Sequence, residues 1–226
     1  MSDDQQALWK TAVHEAGHVV CARYLGIEVG GVTIIPGPGY NGLTWGPDSQ
    51  RALHGKEGFD DLGEDHVECV AENVSRKLKA LAPGPGEDQS EMDSLFIGTR
   101  TKLIELMAGE AAERLIFEDQ QPELIGGDLS AALAVSGIVS RTLEGQMALA
   151  EYGFQEARAI LEEQRSVLLA VATALINHPE RTLDQSEIDA AIRSAVANEA
   201  AEAERERRKR WAEIEANAER FTAHCQ

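Results

Sequence analysis

Thr11-Ala12-Val13-His14-Glu15-Ala16-Gly17-His18-Val19-Val20 is the stretch from which the rest of the chain can be read. It carries two histidines four positions apart, with a glutamate directly after the first. On an α-helix, positions i and i+4 lie on one face, a turn apart. His14 and His18 can therefore aim two imidazole nitrogens at one zinc ion, and Glu15 can reach water beside that ion. The flanks are apolar: Ala12, Val13, Val19, Val20, Ala22 and Tyr24 leave little polar face, so this helix is expected to be largely buried. The alternative is two surface histidines on an ordinary helix, which would need a polar face. Ser2-Asp3-Asp4-Gln5 has the spacing of a capping box, and Gly26 suits a helix stop near Leu25. Gly17 inside the helix implies close approach of another backbone.

The composition sets the surroundings. The 226 residues suit one domain, or one plus an extension, and 43% are hydrophobic, enough for a core. Only 5% are aromatic, so aliphatic side chains and alanine must fill it. The net charge is −18 and the isoelectric point about 4.7. Nucleic acid and anionic membranes are therefore poor general partners, because their phosphates would be repelled. No run of about 18 apolar residues and no basic segment leading into an apolar stretch is visible, so the expectation is a cytoplasmic protein that does not engage a membrane. Three cysteines, Cys21, Cys69 and Cys225, show no CxxC spacing, which argues for a reducing compartment. Cys21 lies three residues after His18 and reads either as a core thiol or as a neighbour of the metal, the former being the usual fate of a free cysteine.

Beyond the first helix, Gly31-Val32-Thr33-Ile34-Ile35 and Leu43-Thr44-Trp45 are short extended pieces bounded by glycine and proline, predicting a hairpin or small sheet. An edge strand there could pair with an extended peptide, or simply cover the core. Residues 47–94 form a variable acidic insertion, with helical spacing from Glu64 to Leu81 and a loop at Pro83–Asp88. A helix is expected from Ser90–Ser94 to Phe117. Another should run from Asp128 to about Ala150, be broken at Tyr152-Gly153, and resume from Glu156 to Asn177. Thr182–Gln185 should open a last helix from Ser186 toward Arg220. Residues 1–198 are read as the domain and 199–226 as a charged helical extension. That extension is either a solvated helix laced with i,i+4 pairs or a docking arm anchored by Trp211, Ile214 and Phe221.

Two histidines leave a catalytic zinc one protein ligand short. His54, His66, His178 and His224 stand in no recognisable motif. Carboxylates are too many for spacing to choose among them. Asp128 is the best placed, because it follows Gly126-Gly127 and opens a helix. An ordinary helix N-terminal aspartate would look the same.

The order of several segments resembles the peptidase domain of FtsH-type zinc metalloproteases. Thr11–His18 followed by Val32-Thr33-Ile34-Ile35-Pro36 is similar to that family's HEAGH helix and its VTIIP-like strand. Gly42-Leu43-Thr44 resembles its next strand, Met107–Phe117 its GGRAAEEIVF helix, and Ile125–Leu129 its TGASNDL segment. Ala157–Glu163 and Thr182–Ile188 are similar to its C-terminal helices. The resemblance implies a mostly α, FtsH-peptidase-like helical zincin domain with a small β-hairpin or sheet and an extended C-terminal helix. It implies Zn²⁺ held by His14, His18 and Asp128, Glu15 as catalytic general base, and Glu113 orienting a ligand histidine from behind. A polypeptide substrate would pair with the edge at Leu43, Thr44 and Trp45.

The chain also departs from that family. Thirteen residues precede His14 and no GxxxxGK[ST] is present, so membrane anchors and an AAA+ ATPase are not expected. The expectation is a stand-alone, ATP-independent zinc endopeptidase acting on unfolded or flexible polypeptides, with homo-oligomerisation open. The rival reading is a metal-stabilised binding or adaptor protein that keeps the fold and does not cleave. A zinc amidohydrolase using the same ligands is a third.

Overall fold

The computed structural model describes residues 2–37, 40–47, 84, 90–117 and 127–224. The expected helix Glu64–Leu81, residues 83 and 85–88 of the expected loop, His54, His66, Cys69, Cys225 and Gly126 lie outside the described residues. The architecture is mostly helical, with a small sheet and a long C-terminal helix.

Helix α1 spans Asp3–Tyr24. Its start is fixed by the expected capping box: the Ser2 hydroxyl accepts from Gln5 N at 3.3 Å, and the Gln5 side chain accepts from Ser2 N at 3.0 Å. Asp3 and Asp4 favour the positive end of the helix dipole. The helix ends at Tyr24, with Leu25 as cap and Gly26 at φ 77°, a left-handed conformation that glycine adopts without cost. From Ala12 to Ala22 its residues are mostly buried. It is therefore a core helix, not an amphipathic cover.

Helix α2, Ser90–Ile116, packs most extensively against α1 and against the later helix Leu143–Glu163. Gly17 sets the α1–α2 distance. A Cβ there would lie 2.5 Å from the Ala108 carbonyl oxygen and 2.7 Å from Ala112 Cβ. Only a residue without a side chain lets the two backbones meet this closely. Helices α3 (Gly127–Ser136), α4 (Leu143–Glu163) and α5 (Arg165–Asn177) follow. The core is aliphatic and alanine-rich, with Ile104, Leu161, Leu168, Leu175 and Val19 all essentially inaccessible.

The helix breaks differ from the expected ones. The chain stops at Ser136, whose hydroxyl donates to Ala132 O, and turns through residues 137–140 with Val139 N and Ser140 N both on Ser136 O. Thr142 then caps α4, its hydroxyl accepting from Gly145 N at 3.1 Å. Tyr152-Gly153, expected to be a break, lies inside α4. Gly153 is there for packing: a Cβ would lie 2.9 Å from Leu103 O on α2. The real break is at Gln164, between α4 and α5.

The sheet has three strands in the order β2-β1-β3. Strand β1 (Gly31–Thr33) lies between β2 (Leu43–Trp45) and β3 (Thr182–Asp184), antiparallel to both. Val32 pairs with Thr44 on one side and Leu183 on the other. Residues 182–184, expected to start a helical turn, are thus a strand. Leu183 is buried, Asp184 is exposed, and the Thr33 and Thr182 hydroxyls share a hydrogen bond of 2.7 Å. Arg181, at φ 49°, turns the chain into the strand.

Helix α6, Gln185–His224, follows at once. Asp184 and Glu187 exchange side-chain-to-backbone bonds of 2.9 Å each way, a second capping box. His178 caps the end of α5 and faces Glu187 at 3.2 Å, a helix-end role. Cys21 is buried with Sγ 3.8 Å from Ala157 O, and burial, with Glu105 nearby, pushes its thiol up to about 12. It is a core thiol. No helix among the described residues is long and apolar enough to cross a membrane.

Candidate metal centre

Side chains of two helices converge at one point. Helix α1 supplies His14 and His18 a turn apart, and the first turn of α3 supplies Asp128. His14 Nε2 lies 3.0 Å from Asp128 Oδ2, His18 Nε2 lies 3.3 Å from the same oxygen, and the two Nε2 atoms are 3.2 Å apart. Among the described residues this is the group of His, Cys, Asp or Glu side chains that can hold a metal ion.

The outer nitrogen of each ring explains why the inner ones converge. His18 Nδ1 donates to the Glu105 carbonyl oxygen on α2 at 2.8 Å. His14 Nδ1 donates to Glu113 Oε1, also on α2, at 2.9 Å. Neither acceptor has a hydrogen of its own, so each ring carries its hydrogen at Nδ1 and turns a lone pair out at Nε2. Two nitrogen lone pairs and a carboxylate oxygen then face one another. That arrangement demands a cation, either a metal ion or a proton.

Glu113 is itself held. Its second oxygen lies 3.2 Å from Lys10 Nζ, one turn before His14 on α1. Burial works against charge on Glu113, but the His14 bond and the Lys10 ammonium keep it below the ordinary carboxylate range. Room for the His14 ring comes from Gly109, one turn before Glu113. A Cβ there would collide with the imidazole carbons and Nε2.

Glu15 is buried, at 6% exposure. Its Oε2 accepts from the Thr44 hydroxyl on β2 at 2.8 Å. Gly42, just before β2, leaves the space that the Glu15 side chain occupies, since a Cβ would lie 2.6 Å from Glu15 Cγ. Burial raises the Glu15 pKa; the histidines and the Thr44 bond oppose but do not cancel that rise. A carboxylate raised in this way keeps its proton more readily than an exposed one.

With no cation but a proton, the histidines are strongly basic. Burial alone would lower the His14 pKa, yet the bonds to Asp128 and Glu113 and the charge of Glu15 outweigh it, and the value rises to about 10. Asp128 is driven the other way, well below the carboxylate range, because His18 and His14 overcome the cost of its burial. Its side chain is still 38% exposed, against 12% for His18, so the group opens to solvent on the Asp128 side.

The structure therefore brings His14, His18 and Asp128 together, with Glu113 behind His14 and Glu15 beside them. Of the three strand residues, only Thr44 turns toward Glu15. Leu43 and Trp45 alternate to the other face, where the Trp45 ring lies against Gly31 and its Nε1 is buried without a hydrogen-bond partner. Sequence reasoning missed Lys10, Gly109 and the Glu105 carbonyl. Lys10 could have been found, because it stands at i−4 from His14 on the same helix face. No protein-family model matches the chain.

Proposed function

We propose that this protein is a zinc metalloendopeptidase of the FtsH-peptidase-like type, cleaving extended segments of flexible polypeptide. The observation that supports it is the Nε2/Nε2/Oδ2 triangle with sides of 3.0, 3.2 and 3.3 Å. Tetrahedral zinc with ligands at about 2.0–2.1 Å separates neighbouring ligand atoms by roughly 3.3 Å. The donor set therefore fits zinc with almost no rearrangement. The segment order described above, from the histidine helix to the Asp128 loop, supports the same family.

Bound there, zinc would act as a Lewis acid toward a peptide carbonyl and make water acidic enough to lose a proton near neutral pH. The chain's own groups do the rest. Glu15 Oε1 takes the proton from the attacking water while Oε2 stays on the Thr44 hydroxyl. Glu15 then gives the proton to the departing amine nitrogen. Glu113 and the Glu105 carbonyl hold the two rings in register, and Lys10 holds Glu113. Strand β2 lies at the outer side of the sheet, and an extended substrate strand added there would pass the face that carries Thr44 and Glu15.

The test is cleavage of an unstructured protein by zinc-loaded material, with Glu15→Gln alongside. The variant should keep one metal per chain and lose turnover by several orders of magnitude. A metal-loaded Glu15→Gln chain that cleaves like the parent would falsify the mechanism. A parent that binds zinc and cleaves nothing would favour the binding-protein reading.

A further inference from the structure

The last core contact of α6 is Ala195; beyond it the helix continues to His224, and from Val196 through Phe221 its residues are exposed, Glu204 alone being half-covered. At about 1.5 Å per residue this is a rod of roughly 40 Å. Isolated helices in water are marginal, and stable ones usually bury an apolar face. The exposed part of α6 has such a face. At about 100° per residue, Val196, Ala200, Ala203, Arg207, Trp211, Ile214, Ala218 and Phe221 fall within a stripe roughly 80° wide. Val196 is 51% exposed, Trp211 63%, Ile214 54% and Phe221 73%. No described element covers them.

We propose that this stripe is the interface with a second copy of the chain, the two α6 helices lying antiparallel and centred between Trp211 and Ile214. Charge and size both select that arrangement. In the antiparallel register Trp211 packs on the second copy's Ile214 and Ala218. Arg207, the one charge in the stripe, lies opposite the second copy's Ala218. Phe221 enters the hole formed by the second copy's Ala200, Ala203, Glu204 and Arg207, where two alanines leave room for a ring. A parallel pair would instead set Arg207 on Arg207 inside the contact.

The flanks agree. Arg208 on one edge of the stripe falls beside the second copy's Glu215 and Glu219. On the other edge Arg210 falls beside the second copy's Glu213. The two-fold axis doubles each pairing. Within one helix, Arg208 Nε already donates to Glu204 at 2.7 Å. A guanidinium has five N–H donors, so this bond and one across the interface can coexist. The segment from 199 to 221 runs acidic, basic, acidic, and an antiparallel copy sets the basic middle of one helix against the acidic end of the other.

Sedimentation velocity of the full chain across a dilution series tests this. The expected result is a species of twice 24.5 kDa that dissociates on dilution. Trp211→Glu with Ile214→Glu should give monomer at every concentration, with unchanged metal content. Because both positions are exposed, the fold has no reason to fail, and near-ultraviolet or NMR signals of the core will show that it does not. Arg208→Glu should weaken the dimer about tenfold, and Glu215→Arg in the same chain should restore it. With Cys69 and Cys225 replaced by serine, a mixture of Arg207→Cys and Ala218→Cys chains should oxidise to the mixed covalent dimer. A monomeric parent, a dimer indifferent to the double glutamate variant, or cross-links of Arg207→Cys chains to themselves in preference to the mixed pair would each overturn the proposal.

Discussion

Thr44 donates its hydroxyl hydrogen to Glu15 Oε2 at 2.8 Å, so the edge strand of the sheet and the acid of the histidine motif are one hydrogen-bonded unit. The bond holds the carboxylate rotamer from the side that an added strand would approach. In the proposed mechanism it also sets which of the two oxygens is left for proton transfer.

Thr44→Val keeps the shape of the side chain and removes that bond. A hydrogen bond to a charged group contributes about 1.5–3 kcal/mol, so turnover should fall about ten- to hundredfold. Because the Thr44 bond is one of the influences lowering the Glu15 pKa, its loss should also move the acid limb of the rate–pH profile to higher pH. Metal content should not change. A profile of kcat/KM against pH for the two proteins, at matched zinc occupancy, reads both effects.

Glu113→Gln should lower zinc affinity about ten- to hundredfold, as removal of groups that orient ligand histidines does elsewhere. Lys10→Met, acting one bond further out, should have a smaller effect in the same direction. Competition with a chromophoric chelator measures both. Equal affinities for parent and Glu113→Gln would show that the 2.9 Å contact with His14 does not orient the ring.

Gly109→Ala places a methyl group where the His14 ring now lies. Alanine favours helix over glycine by about 1 kcal/mol, so α2 itself should not suffer. The expected variant is folded by circular dichroism, somewhat less stable, and unable to retain zinc through gel filtration. Full zinc occupancy would mean that the ring can be accommodated elsewhere.

Without metal, stability should depend on pH in a definite way. His14 has its pKa raised from 6.5 to about 10 on folding, so its contribution is complete below 6.5 and is lost as pH rises toward 10. Asp128 is lowered from 3.8, so its contribution is present above that value and is lost on further acidification. The metal-free protein should therefore be most stable between about pH 4 and 6.5 by thermal melts. Metal entry near neutral pH must displace the shared proton. Titration calorimetry in buffers of different ionisation enthalpy should register about one proton released per ion bound.

The parts of this site differ in how far they could be read from residues alone. His14, Glu15 and His18 were legible because helical geometry puts them together within one turn, whatever the rest of the chain does. The capping box at Ser2 and the stop at Gly26 were legible for the same local reason. Asp128 joins His14 from 114 positions away. Nothing local separates it from a helix-opening aspartate, and only the ordered resemblance singled it out. Strand β3 was missed because three residues with one buried leucine carry no measurable period. Gly153 was misread because a glycine that admits a neighbouring helix and one that ends its own look identical in sequence. Thr44 was expected to meet substrate, and its bond to Glu15 depends on how β2 lies across α1, which no pattern along the chain encodes.

Gly17 sits between the catalytic-type glutamate and the second histidine, and its hydrogen atom faces the Ala108 carbonyl of another helix. The two unspecified letters of HExxH are therefore not spare. Transplanting the two histidines and the glutamate into a foreign helix would reproduce their spacing and omit their seat. A protein engineer borrowing this motif would have to import the facing surface of α2 and the opening turn of α3 as well, because the candidate ion pocket belongs to three helices and to none alone.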